Sequence, residues 1–246
     1  MLITVLGCHS PFPAAGGGTP GYLLEAAGKK ILIDCGSGVL AQLAKVMPPY
    51  ELDGVFISHL HHDHISDFFV LQYAIMVATN LKKRNRPLSV WAPSEPSKWF
   101  SMLRYQQFID LHTIEEGLEI DLAEQLSVQF HQTDHGIPCY AMKIGDGQST
   151  LLYGADSGPK TSWTKVGMNP DLFICEASFL HKDLPQRDTG HLSAQQAAQA
   201  ANLIQAKSLL LTHLYPEYDP KDLEQEAKSI FRGELHVAKT GLTLQF

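Results

Sequence analysis

The sequence is poor in the features that cross-link a chain or address it to a membrane. Its 246 residues hold four cysteines, Cys8, Cys35, Cys139 and Cys175, widely scattered and with no CxxC pair. That is too few for the disulfide framework of a small secreted scaffold, so the thiols read as small core residues. Long apolar runs are absent as well. The most hydrophobic stretch, Phe68 to Ala78, contains Gln72 and is far shorter than the roughly 20 residues that span a bilayer. The opening Met1-Leu-Ile-Thr-Val-Leu has neither a basic flank nor a cleavage site and reads as a strand, so a cytoplasmic protein with no membrane partner is expected. Basic charge is also in deficit. Nineteen Lys and Arg against 26 Asp and Glu give a formal net charge of -7, which disfavours a long polyanion such as RNA. With 44% hydrophobic and 18% charged residues, disorder, collagen and coiled coil are excluded. What the chain has in excess is histidine, 12 in all.

Short β-type runs alternate with glycine turns. Strands are predicted at Leu2 to Leu6, Tyr22 to Leu24, Lys30 to Ile33, Val55 to Ile57, Leu88 to Trp91, Val128 to His131, Tyr140 to Ile144 and Thr150 to Tyr153. Gly145-Asp146-Gly147 supplies a hairpin turn between the last two. Three more strands follow at Leu172 to Cys175, Leu209 to Leu211 and Leu235 to Ala238. Helical patterns cover Val39 to Val46, Asp67 to Thr79, Ser97 to Gln107, Ala194 to Gln205 and Pro220 to Phe231. Ser193 caps the fourth of these, and Ser94 with Pro96 the third. Phe68, Phe69, Leu71, Ile75, Met76 and Val77 cover more than one narrow stripe of the second helix, which suits deep burial or an interface. Hairpins and helices interleave in both halves, which implies an α/β chain of two mixed sheets packed face to face with helices outside. No proline- or serine-rich linker divides it, so one domain is expected over residues 1–246. Lys82-Lys83-Arg84-Asn85-Arg86 is the one dense basic run, either a solvated loop or a phosphate-attracting rim.

The histidines cluster directly after the strand Val55-Phe56-Ile57, as Ser58-His59-Leu60-His61-His62-Asp63-His64. Isolated histidines are commonly core residues satisfied by hydrogen bonds, but four imidazoles and a carboxylate within six residues match the ligands of zinc-type ions. Strand alternation sends His59 and His61 to one side, and the start of a following helix turns Asp63 and His64 to another. One short segment can thus serve two ions.

His59-x-His61-x-Asp63-His64 resembles the HxHxDH signature of the metallo-β-lactamase superfamily, and the other motifs of that family follow in order. Ile31-Leu32-Ile33-Asp34-Cys35-Gly36 resembles the first, with Asp34 behind the ligands rather than on the metal. Asp134-His135-Gly136, Tyr153-Gly154-Ala155-Asp156 and Leu211-Thr212-His213 resemble the third, fourth and fifth. The resemblance implies an αββα four-layer sandwich and two divalent ions. One ion would take His59, His61 and His135, the other Asp63, His64 and His213, with Asp156 and a water bridging them. Zinc suits such ligands, and Mn²⁺, Fe²⁺ or Co²⁺ fit the same set. His61 stands where the diiron oxidoreductases of the superfamily carry glutamate, which points to hydrolysis. His62 falls outside the ligand pattern, and His131 lies on the same strand face as His135, as neighbour or ligand substitute. His9, His112, His181 and His236 lie outside the motifs.

Between the last two motifs, Cys175-Glu176-Ala177-Ser178 and Gly190-His191-Leu192-Ser193 resemble the HEAT and HST elements of the ribonuclease Z branch. By that match His191 is a general acid and Glu176 its partner, and the implied catalytic set is Asp63, His191 and Glu176. His191 can also be read simply as a residue beside the N-cap of the next helix. No segment is long and rich enough in glycine and proline to be the arm with which that branch clasps tRNA. The expectation is therefore a dinuclear metal phosphodiesterase for a small or cyclic phosphodiester, its nucleophile a hydroxide between the ions. The alternatives are a ribonuclease Z-type RNA 3'-processing endonuclease, a carboxyl-ester, lactone or thioester hydrolase, and a metal-dependent binding or sensing protein without turnover. Resemblance also implies a homodimer.

Overall fold

A strand covered on both faces needs a continuous apolar run rather than an alternating one, and two such runs set the centre of the first sheet. Ile31, Leu32 and Ile33, and beside them Val55, Phe56 and Ile57, are all fully buried. The computed structural model describes residues Met1–Phe246 and forms two compact units, Met1–Ile114 with Lys239–Gln245, and Glu115–Ala238. The fold class is α/β, two mixed seven-stranded sheets flanked by helices.

In the first unit the strands are β1 (Leu2–Gly7), β2 (Gly21–Ala26), β3 (Lys29–Ile33), β4 (Gly54–Phe56), β5 (Leu88–Pro93) and β6 (Ile109–Ile114), joined by the last strand of the chain, β14 (Thr243–Gln245). Their order is β14-β1-β2-β3-β4-β5-β6, antiparallel as far as β3 and parallel beyond it. Helices α1 (Val39–Val46), α2 (His62–Ile65), α3 (Phe68–Asn80) and α4 (Ser97–Leu103) fill the crossovers. The second unit holds β7 (Glu119–Ala123), β8 (Leu126–Gln132), β9 (Tyr140–Gly145), β10 (Thr150–Tyr153), β11 (Leu172–Glu176), β12 (Ser208–Thr212) and β13 (Glu234–Val237). Its order is β13-β12-β11-β10-β9-β8-β7, parallel from β13 to β10 and antiparallel from β10 to β7. Its helices are α5 (Trp163–Val166), α6 (Ala194–Leu203) and α7 (Pro220–Lys228). Alanines 194, 197, 198, 200 and 201 of α6 are buried, their small side chains letting the helix lie close on β11 and β12.

The predicted strands and helices are all present, most within one or two residues of their expected ends. Ser193 closes a full capping box with Gln196. The third helix departs from expectation. It stops at Leu103 because Arg104 is extended, and its N-cap is Pro96 with no side-chain cap from Ser94. Strands β6, β7 and β14 carry polar, half-exposed residues and were not expected. Helix α3 is two-sided: Phe68, Leu71, Gln72, Ile75 and Ala78 are buried, while Val70, Tyr73 and Val77 face outward with Leu81 just beyond.

Parallel strands deliver their C-terminal ends to one side of a sheet. In the first unit β3 runs into Asp34 and β4 into Ser58-His59; in the second, β10 leads to Asp156, β11 ends on Glu176 and β12 leads to His213. Three of these exits use non-glycine residues in the left-handed region, Asp34 (φ 57), Ala155 (φ 50) and His213 (φ 57). Such strain persists where surrounding contacts over-determine it. The histidine segment is strapped to the end of β3: Cys35 N–H donates to His64 O at 2.8 Å, and Thr19 Oγ1–H to Asp63 O at 2.6 Å. Gly36 is the residue that lets these segments meet, since a methyl there would overlap the Asp63 carbonyl oxygen and Thr19 Oγ1.

The basic run lies by the N-terminal ends of β3 to β5, at the opposite end of these strands from Asp34 and Ser58. Arg84 is buried, and its guanidinium donates to the carbonyls of Tyr50 (2.7 Å), Leu52 (2.8 Å), Arg86 (2.8 Å) and Pro87 (3.0 Å). Arg84 is a clamp on two loops. Arg84→Met strands those acceptors and is expected to cost about 2–4 kcal/mol. For a chain of this size that is a Tm lower by roughly 5–10 °C in a thermal melt, and an unchanged Tm contradicts the clamp. Gly36→Ala is expected to lower Tm by a similar amount through backbone overlap. It should also reduce divalent-ion content, measured by atomic emission, because the segment it displaces carries Asp63 and His64.

Candidate metal centre

In the first unit the centre is built around Asp34, whose carboxylate is fully buried. It accepts the Ser58 N–H at 2.7 Å and the Ser58 hydroxyl at 2.8 Å, and His64 Nδ1 lies 2.8 Å from Oδ2. These bonds fix the turn from β4 into the histidine segment. His59, also fully buried, sets its Nδ1 3.0 Å from Ser58 Oγ and its Nε2 3.1 Å from His61 Nδ1. Two ring nitrogens on one tetrahedral ion sit about 3.3 Å apart, given bonds of about 2.0–2.1 Å, so that spacing matches ligands aimed at a common point. Asp63 Oδ2 accepts the Ser10 hydroxyl at 2.8 Å and lies 3.8 Å from His64 Nε2. His62 is exposed and meets the Trp99 ring edge-to-face at 4.5 Å, turned away from its neighbours.

In the second unit the corresponding carboxylate is Glu176, 1% exposed. Oε1 accepts Ser157 N–H at 2.7 Å and faces His191 Nδ1 at 2.9 Å. Oε2 accepts the Ser178 hydroxyl at 2.6 Å and Leu192 N–H at 3.1 Å. Ser178 Oγ in turn lies 2.8 Å from His213 Nδ1. Asp156 stands in front of this array, with Oδ1 3.2 Å from His213 Nε2 and Oδ2 3.8 Å from His135 Nε2. One ligand atom from each of Asp156, His191 and His213 falls within a common span of 4.8 Å. Gly190, at φ 72, turns its carbonyl to His135 Nδ1 at 3.0 Å. Burial pulls the His191 imidazole toward its neutral form. The Glu176 carboxylate against it, helped by Asp156, outweighs that and holds its pKa above the ordinary value.

The donor chemistry fits divalent cations. A carbonyl only accepts, so His135 carries a proton on Nδ1, which leaves Nε2, 3.8 Å from Asp156 Oδ2, as the nitrogen that can offer a lone pair to an ion. Lone pair facing carboxylate is favourable when a cation lies between them. Each unit thus gathers the imidazole and carboxylate groups expected of it: His59, His61, Asp63, His64 and Asp34 in the first, His135, Asp156, Glu176, His191 and His213 in the second. His131 lies elsewhere, 3.4 Å from Glu116. Of the other histidines, His112 stacks on Trp91 beside Asp110, His181 meets Ser193 Oγ, and His236 pairs with Glu234. All four cysteines are buried, and burial raises the Cys8 thiol to about 12, so they are packing groups and not nucleophiles. Sequence reasoning missed the hydroxyls, Ser10, Thr19, Ser58 and Ser178. Their one sequence signal is adjacency, Ser58 immediately before His59 and Ser178 two residues after Glu176.

Comparison with known proteins agrees with this geometry. Residues 29–214 match the family model described as a β-lactamase superfamily domain. The chain is 38% identical over 245 residues, 98% of each chain, to the probable metallo-hydrolase YhfI of Bacillus subtilis. The crystal structure of YhfI, a metallo-β-lactamase fold protein, superposes with a TM-score of 0.91 over 99% of this chain and 98% of that one, at 35% identity. Ribonuclease Z of Archaeoglobus fulgidus is 26% identical over 304 aligned positions, 99% of this chain and 97% of that protein. The short form of human tRNase Z shares the fold, with a TM-score of 0.78 at 21% identity over 100% of this chain and 99% of that one. The chain belongs to the metallo-β-lactamase superfamily.

Proposed function

We propose that the protein is a metal-dependent hydrolase, and specifically a dinuclear phosphodiesterase acting on a small or cyclic phosphodiester. In this reading His59, His61 and His135 hold one divalent ion, Asp63, His64 and His213 a second, and Asp156 serves both. Two such ions would lower the pKa of a water to near neutrality and stabilise the charge that builds on an attacked phosphoryl group. Zinc is the ion we propose.

The observation that carries the phosphodiester reading is the 2.9 Å approach of His191 Nδ1 to Glu176 Oε1. Glu176 holds the proton on Nδ1, so the proton on Nε2 is the one the charged ring can release. An alkoxide leaving a phosphodiester is a poor leaving group unless protonated, and a placed imidazolium contributes roughly 10²–10⁴-fold to such a step. A thiolate needs no such help, which favours a phosphate ester over a thioester. The absence of a tRNA-clasping arm and the net charge of -7 favour a small substrate. The 304 positions aligned with ribonuclease Z exceed this chain's whole length, so that relative holds segments absent here. The outward stripe of Val70, Tyr73, Val77 and Leu81 supports a homodimer, to be checked by light scattering.

About two divalent ions per chain are expected by atomic emission, and bis(p-nitrophenyl) phosphate should be hydrolysed and protected by chelators. His61→Ala and Asp156→Ala should abolish turnover. His191→Ala is expected to slow esters of poorly acidic alcohols by roughly 10²–10⁴-fold while leaving p-nitrophenyl esters much less affected. A metal-loaded protein that cleaves neither bis(p-nitrophenyl) phosphate nor any cyclic nucleotide sinks the phosphodiester reading. Turnover of a precursor tRNA in its place would establish the RNA-processing alternative.

A further inference from the structure

An imidazole that offers one nitrogen to an ion must keep its proton on the other. A hydroxyl enforces that choice only if its own proton is committed elsewhere. Ser178 meets this condition. Its Oγ lies 2.6 Å from Glu176 Oε2 and 2.8 Å from His213 Nδ1. Glu176 is buried and takes the Ser157 and Leu192 amides as well as His191, the environment of an ionised, accept-only carboxylate. The single hydroxyl proton therefore goes to Glu176, and Ser178 accepts from His213. The reverse assignment would set hydroxyl lone pairs against a buried carboxylate at 2.6 Å.

The first unit repeats this wiring from different strands. Ser58 Oγ donates to Asp34 Oδ2 at 2.8 Å and lies 3.0 Å from His59 Nδ1. In each unit the carboxylate also holds one histidine directly, His64 on Asp34 at 2.8 Å and His191 on Glu176 at 2.9 Å. One buried carboxylate thus governs two imidazoles, the second through a serine.

We propose that Ser178 and Ser58 are positioning residues, relays through which Glu176 and Asp34 fix the Nδ1–H tautomer of His213 and His59 and so present Nε2 to a divalent ion. This rests on the metal-centre reading above. It follows that Glu176→Gln disturbs directly both the proton donor His191 and the ion at His213, whereas Ser178→Ala leaves the Glu176–His191 contact in place and acts chiefly on the ion.

The test compares wild type, Ser178→Ala and Ser178→Thr, with Ser178→Cys, of similar size and a weak donor, in case the alanine variant does not fold. Zinc and cobalt(II) affinities are measured by competition with a chromophoric chelator. The tautomer of His213 is read from long-range nitrogen–proton correlations of the metal-free, ¹⁵N-histidine-labelled protein. Ser178→Ala is expected to weaken one of the bound ions by about 10–100-fold and to lose the fixed Nδ1–H tautomer, and Ser178→Thr to restore both. Retention of that tautomer in Ser178→Ala, or an unchanged ion affinity, overturns the proposal. A wild-type chain that binds no divalent ion overturns the metal reading instead, and the tautomer measurement still decides what the serine does.

Discussion

Burying a carboxylate is the constraint around which each unit is arranged. An ionised carboxylate taken out of water costs several kcal/mol unless its lone pairs meet donors, and those donors then become fixed points of the structure. Glu176 collects two amides, a hydroxyl and an imidazole. Asp34 collects an amide, a hydroxyl and an imidazole. Satisfying Glu176 draws the loop after β10, the turn after β11 and the approach to α6 onto one strand end. Satisfying Asp34 pins the exit of β4, and with it the histidine segment. The histidines in front of these carboxylates are held by the bonds that satisfy them.

The strained turns fit the same scheme. Asp34, Ala155 and His213 leave their strands in the left-handed region, a conformation that costs non-glycine residues of order 1–3 kcal/mol each. An ordinary extended exit would carry the following side chain on along the strand. The left-handed turn instead brings Asp34 back over Ser58 and His213 back over Ser178, into hydrogen bonds that offset the strain. In the hydrolase reading proposed above, preorganisation of this kind would lower the reorganisation needed when charge develops at the centre.

Much of this was legible in the residues. The runs ending at Ile33 and Ile57 read as strands, and the motif residues that follow each of them point to a site at the strand ends. Ser193 announces a helix start. Strands β6, β7 and β14 were not legible, because at a sheet edge the partner strand and not the side-chain pattern supplies much of the stability. The two-sided character of α3 was hidden for a related reason, since Val70 and Val77 are no less apolar than Leu71 and Ile75. Arg84 shows the opposite failure. A basic run looks like a charged surface until four carbonyls from two loops are seen converging on one guanidinium.

The sequence by itself, through its resemblance to the motifs of the superfamily, pointed to the groups proposed here as metal ligands, His59, His61, Asp63, His64, His135, Asp156 and His213, and fixed their order along the chain, because a motif is a matter of side-chain identity and spacing. Only the tertiary structure sets which nitrogen of His213 and of His135 carries the proton. That depends on what stands behind the ring, Ser178 behind His213 and the Gly190 carbonyl behind His135, partners far removed in sequence and brought together by parallel strands and crossover turns. Proton placement is a contact property, and contacts of that range are settled by the fold.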